Sequence, residues 1–141
     1  MIKSNRTNHL IAAAIVFLLL GACSTTGTHK DATATIEQRA VERWNLLIAH
    51  QAEKAYDYLS PGVRATQSRE TYAALMNHRP IQWKTVKFVN KQCESDRCDV
   101  RLIVDYSVTL NRAMGQPVSS FAPLKETWVH VKGEWFFLPS Q

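Results

Sequence analysis

Between residues 100 and 110 the side chains alternate, with Val100, Leu102, Val104, Tyr106, Val108 and Leu110 set against Arg101, Ile103, Asp105, Ser107 and Thr109. A period of two is that of an extended strand with one apolar face and one mostly polar face. Such a strand needs neighbours and a cover for its apolar side. Residues 83–92 supply an upstream partner, and residues 126–131 and 134–138 flank Lys132-Gly133 as a closing hairpin. Before Pro80 the period is helical: Ala40, Trp44, Leu47, Ile48, Ala55 and Leu59 fall mostly on one face, with a dip at His50-Gln51 that divides the run in two. Ser60-Pro61-Gly62 ends it, and Ser68 caps a third helix through Met76, with Glu70 in its first turn and Tyr72, Leu75 and Met76 on its apolar side. The expected class is α+β, with N-terminal helices packed on a curved sheet of about four antiparallel strands.

The first residues obey a different logic. Lys3 and Arg6 precede eleven uncharged apolar residues, 10–20, a basic region followed by a hydrophobic one, as in an export signal. Eleven helical residues at ~1.5 Å each fall well short of a ~30 Å hydrocarbon core, so export is favoured over a membrane span. Leu20-Gly21-Ala22-Cys23 resembles the bacterial lipobox, in which the cysteine is diacylated and becomes the mature N-terminus. The resemblance implies lipid attachment at Cys23 and, because Ser24 and not Asp follows, an outer-membrane location with the domain facing the periplasm. Residues 24–35 are small and polar and read as a flexible tether. The organisation is thus a signal peptide over residues 1–22, a tether over 23–35 and a folded domain over 36–141.

Loss of the leader removes two basic groups and lowers the formal charge from +5 to +3. The remaining charges are interleaved, without the clustered footprint that nucleic acid requires. Cys93 and Cys98 have four residues between them in a chain read as exported, where a short hairpin turn brings two thiols within disulfide range. Two thiols without a second ligand pair make an incomplete zinc site, so a disulfide is expected and no metal or other cofactor is.

The helical half, Arg43-Trp44-Asn45-Leu46-Leu47-Ile48, then Lys54-Ala55-Tyr56-Asp57-Tyr58-Leu59-Ser60-Pro61 and Tyr72, resembles the opening of small NTF2-like domains. Residues 126–139, an aromatic strand, a glycine turn and a second aromatic strand, resemble their closing hairpin. The resemblance implies a cone whose open end often holds a pocket, in a family of isomerases, dehydratases, transport factors and noncatalytic modules. Fold alone does not choose among them.

The enzymatic members place an acid, or an Asp and His pair, inside the cone. Here Asp105 has the parity of the polar strand face, Asp57 sits near a helix end, and His50 and His78 fall at helix ends beside terminal carbonyls. His130 shares a strand face with Trp128 but has no evident carboxylate partner. Trp44, Tyr72, Tyr106, Trp128 and His130 are the candidate lining of an apolar pocket. Residues 111–123 read as a thirteen-residue hairpin connection, in which Met114 and Phe121 are the candidate partner contacts.

These readings favour a noncatalytic, lipid-anchored binding or assembly module with an envelope-protein partner. The alternative is a small apolar ligand-binding protein or an isomerase-type enzyme using the pocket. Cells fed labelled palmitate are expected to incorporate label into the chain but not into its Cys23→Ala variant; label retained in the variant refutes lipidation at Cys23.

Overall fold

The computed structural model describes residues 35–109 and 115–140. Cys23, the leader, nearly all of the tether and Met114 lie outside the described residues. Helix α1 spans Ile36–Ile48 and opens on a capping box, Thr35 Oγ1 accepting from the Gln38 amide while Gln38 Oε1 accepts from the Thr35 amide. Its inward stripe is Ile36, Ala40, Trp44 and Leu47, at the four- and three-residue spacing that keeps one helix face buried. Interleaved on the same side are two arginines, Arg39 and Arg43, which are also buried. The helix stops where His50 takes a positive φ of 55°, at the position of the expected break.

Helix α2, Ala52–Ala55, runs into a 3-10 turn, Tyr56–Tyr58. Ser60-Pro61-Gly62 does more than end this run, because it starts another helix: Pro61 opens α3, Pro61–Thr66, where its fixed φ and missing N–H suit the first helical position. Helix α4, Arg69–Asn77, begins as expected at Ser68, whose hydroxyl accepts from the Thr71 amide at 3.2 Å. It buries Tyr72 and Ala73 but leaves Leu75 55% exposed.

Four antiparallel strands follow in the order β1-β2-β3-β4: β1 Ile81–Glu94, β2 Arg97–Val108, β3 Val118–Val131 and β4 Glu134–Leu138. The alternation of β2 holds over Cys98, Val100, Leu102 and Val104, all buried against the helices. At its far end the pattern departs from expectation: Ser107 is buried while Tyr106 and Val108 are only partly so. The register of β1 on β2 slips between Trp83 and Thr85 and again between Phe88 and Asn90. Bulges of this kind bend a strand and raise its twist, which curves the sheet around α1. The Lys132-Gly133 turn closes the last hairpin with both residues at positive φ, 51° and 87°, the conformation a two-residue hairpin loop demands.

The connection read over residues 111–123 is shorter than expected, because β3 extends back to Val118 and pairs in unbroken register with β2. Phe121 is therefore a strand residue opposite Asp105, not a loop residue. Pro123 is tolerated there because β4 pairs only from Thr127 onward, leaving that part of β3 open on its other side.

Cys93 and Cys98 are opposite one another in the β1–β2 register and form the expected disulfide across the Ser95-Asp96 turn, with Cα atoms 4.0 Å apart. A loop this short restricts the unfolded chain by only about 2 kcal/mol. Replacing Cys93 with Ser and Cys98 with Ala is expected to lower unfolding stability by about that amount in a denaturant titration. An unchanged midpoint would show that the hairpin holds without its bridge.

Candidate functional site

The helices and sheet meet at a buried carboxylate. Glu126 lies on β3 at the same parity as Trp128 and opposite Val100 of β2, so the strand aims it inward, where it is only 5% exposed. Its Oε1 accepts from Arg43 Nη1 at 2.8 Å and from Trp44 Nε1 at 2.8 Å, both on α1, and its Oε2 accepts from Trp128 Nε1 at 3.0 Å. Arg43 is 3% exposed. Its guanidinium lies 3.9 Å from the centre of the Phe137 ring and reaches the Tyr72 hydroxyl at 3.4 Å. Charge, hydrogen bonds and ring faces thus compensate the desolvation of both ions. The guanidinium Nε of Arg43 is buried and has no hydrogen-bond partner.

This pair forms the floor of a cleft of about 520 Å³ between α1, α4 and the sheet. Trp44 and Trp83 meet edge to face in its wall, with centroids 5.5 Å apart, and Leu47, Met76, Leu124 and Phe137 complete the apolar lining. Gln67, Leu75, Arg79 and Lys125 also line it.

Of the five aromatic and histidine candidates, Trp44 and Tyr72 line this cleft. Trp128 sits behind it, fully buried, with its indole N–H spent on Glu126. Tyr106 stands opposite Trp83 on β2, outside the lining residues. His130 is at the other end of β3, where its ring packs on Trp135 at 4.9 Å and its Nδ1 lies 3.6 Å from the exposed carboxylate of Asp96. Asp105 accepts from the Thr85 hydroxyl across the strands. Asp57 is bound by both terminal nitrogens of Arg69, at 2.8 and 3.2 Å. His78 Nδ1 lies 2.8 Å from the Ala74 carbonyl at the end of α4.

A second cationic cluster lies under β4. Arg39 donates from Nε to the Trp135 carbonyl at 2.6 Å and stands over the rings of Tyr58 and Phe136, at 5.0 and 5.5 Å. Burial pushes the Tyr58 hydroxyl up to about 12, aided by the Glu42 carboxylate that accepts its hydrogen bond at 3.0 Å. On the outer sheet face, hydrogen bonds from Lys125 and Thr127 hold Asp99 below the usual carboxylate range. Among the described residues, no group of three or more His, Cys, Asp or Glu side chains is placed to hold a metal ion, and no helix is long and apolar enough to cross a membrane.

Sequence reasoning missed Glu126 and Arg43 as partners. One signal was present: Glu126 shares its parity with Trp128, which marks a carboxylate on the core side of a strand.

No protein-family model matches the chain, and neither does any curated protein sequence. Among solved structures, the chain is similar to a SEC-C motif containing protein from Rhodopseudomonas palustris at a TM-score of 0.58. That likeness has 13% identity and covers 73% of this chain and 74% of the other. A second similar chain, from Campylobacter jejuni, is described as an NTF2-like transpeptidase; its TM-score is 0.49 and its identity 14%, over 76% of this chain and all of the other. At such identities the first likeness carries the fold alone.

Removing one partner of a buried ion pair strands the other, at a cost of about 3–5 kcal/mol. Glu126→Ala is expected to fall in that range, because it leaves Arg43, Trp44 and Trp128 with unpaired donors. The double variant Arg43→Met, Glu126→Ala should lose less than the sum of the two single changes; additive losses in denaturant titrations would show that the two side chains are not coupled.

Proposed function

We propose that this chain is a noncatalytic binding module with an NTF2-like fold, anchored by lipid on Cys23 at the bacterial outer membrane and facing the periplasm, and that it holds a small apolar ligand in the cleft. The observation that carries this reading is the engagement of Glu126. Among the described residues it is the one carboxylate in the cleft lining, both of its oxygens accept hydrogen bonds from buried donors, and Arg43 balances its charge. A general base must be reachable by the proton that it removes, whereas Glu126 is 5% exposed and gives three of its about four lone-pair sites to these donors. Glu126 is instead part of the scaffold.

What the cleft offers is surface for binding. Its volume of about 520 Å³ lies within the ~300–1,000 Å³ typical of small-molecule sites, and its lining is mostly aromatic and aliphatic with a few polar groups. The tether of residues 23–35 would let the domain work at a distance from the bilayer.

A second reading, docking of an envelope protein, is favoured by a different observation. Phe121, a large aromatic side chain, is 66% exposed on β3, on the sheet face opposite that of Glu126 and Trp128. Native mass spectrometry of the mature chain, residues 23–141 with Cys23→Ser, is expected to show a co-purified apolar adduct. Empty protein in every preparation would refute the ligand reading, and a photo-crosslinker at Phe121 that captures one discrete envelope protein would favour the second.

A further inference from the structure

We infer that the ligand of the cleft is an acid: a single-chain amphiphile whose carboxylate is received by Arg79 while its apolar body lies along Trp44, Met76 and Trp83. The inference rests on the reading of the cleft as a binding site and goes beyond it by assigning the charge of the occupant.

Three observations carry it. The first is the imbalance of charge. Inside the cleft Arg43 and Glu126 cancel, and the Lys125 ammonium turns to Asp99 on the outer sheet face at 3.2 Å, whereas Arg79 has no hydrogen bond or ion pair among the described residues. A planar guanidinium with all its donors free is suited to a carboxylate, which it can bind through two parallel hydrogen bonds. The second is the position of Arg79, just beyond the C-terminus of α4 and one turn from Leu75, which is 55% exposed. A free cation and an exposed leucine on one rim are the polar and apolar ends of a single amphipathic contact. The third is that Glu126 is already held by Arg43, Trp44 and Trp128, so among the described residues the lining carries a free cation and no unpartnered acid. Together these features select against cationic ligands and favour anionic over neutral ones.

The test titrates the mature chain, residues 23–141 with Cys23→Ser, against decanoate, decan-1-ol and decylamine, read by tryptophan fluorescence at pH 7.5. Decanoate is expected to bind about tenfold more tightly than the alcohol, and decylamine more weakly than either. Arg79→Gln should bring decanoate to within about threefold of the alcohol, by weakening decanoate binding rather than by tightening that of the alcohol. Leu75→Glu, which places a carboxylate on the same exposed rim, should abolish decanoate binding. Both positions are solvent-exposed, and circular dichroism checks that each variant is folded. Equal affinities for decanoate and decan-1-ol would overturn the acid assignment and leave the cleft reading standing. Binding of none of the three would overturn both. Preferential decanoate binding that persists through Arg79→Gln and Leu75→Glu would overturn the placement of the carboxylate at this rim.

Discussion

The fold is organised around one carboxylate. Glu126 on β3 joins donors from α1 and from its own strand, Arg43 and Trp44 on one side and Trp128 on the other, across more than eighty residues of sequence. A buried ion pair contributes little net stability over a well-packed apolar substitute, because the desolvation of both charges offsets their attraction. What it provides is a penalty for error. If α1 rotated or slid by one residue against the sheet, Arg43 and Glu126 would each be buried without the other, a loss far larger than that of misplaced methyl groups. The same contacts set the floor of the cleft and turn the Trp44 ring toward Trp83. The shape of the site is therefore a consequence of how helix and sheet are registered.

The parts that could be read in the sequence are those governed by local rules. The alternation through Val100, Leu102 and Val104, the Ser68 cap, the break at His50 and the Lys132-Gly133 turn each depend on a few neighbouring residues, and each is present. The disulfide was legible for the same reason, since a spacing of five lets a two-residue turn set the two thiols opposite one another. Where the reading failed, the cause was tertiary. Ser119, Ser120 and Pro123 have loop composition, yet pairing with the full length of β2 draws them into β3. Within a single sequence, Arg43 and Glu126 resemble any solvated charges, and only their meeting makes them buried.

The candidate site was legible in part. Trp44 and Tyr72 reach the cleft because helical period alone determines which way they face. His130 was expected there from the parity that it shares with Trp128. Parity fixes the face of a sheet but not the position along it, and His130 lies at the hairpin end, beside Asp96 and Trp135, away from the open mouth. Leu75 was expected on the apolar side of its helix, and only the placement of α4 on the rest of the fold leaves it 55% exposed.

The bulged strand β1 has a consequence at the level of populations. It is the outer strand of an open sheet, fourteen residues long, and a free edge of that length is a template for pairing with another chain. At high local concentration, copies of such a domain meet edge to edge. Lys84, Lys87 and Lys91 recur along this edge, and the two slips in register interrupt the straight ladder that a second chain would need to follow. The irregularities that curve the sheet around α1 would thus also keep crowded copies of the domain from zipping into ribbons.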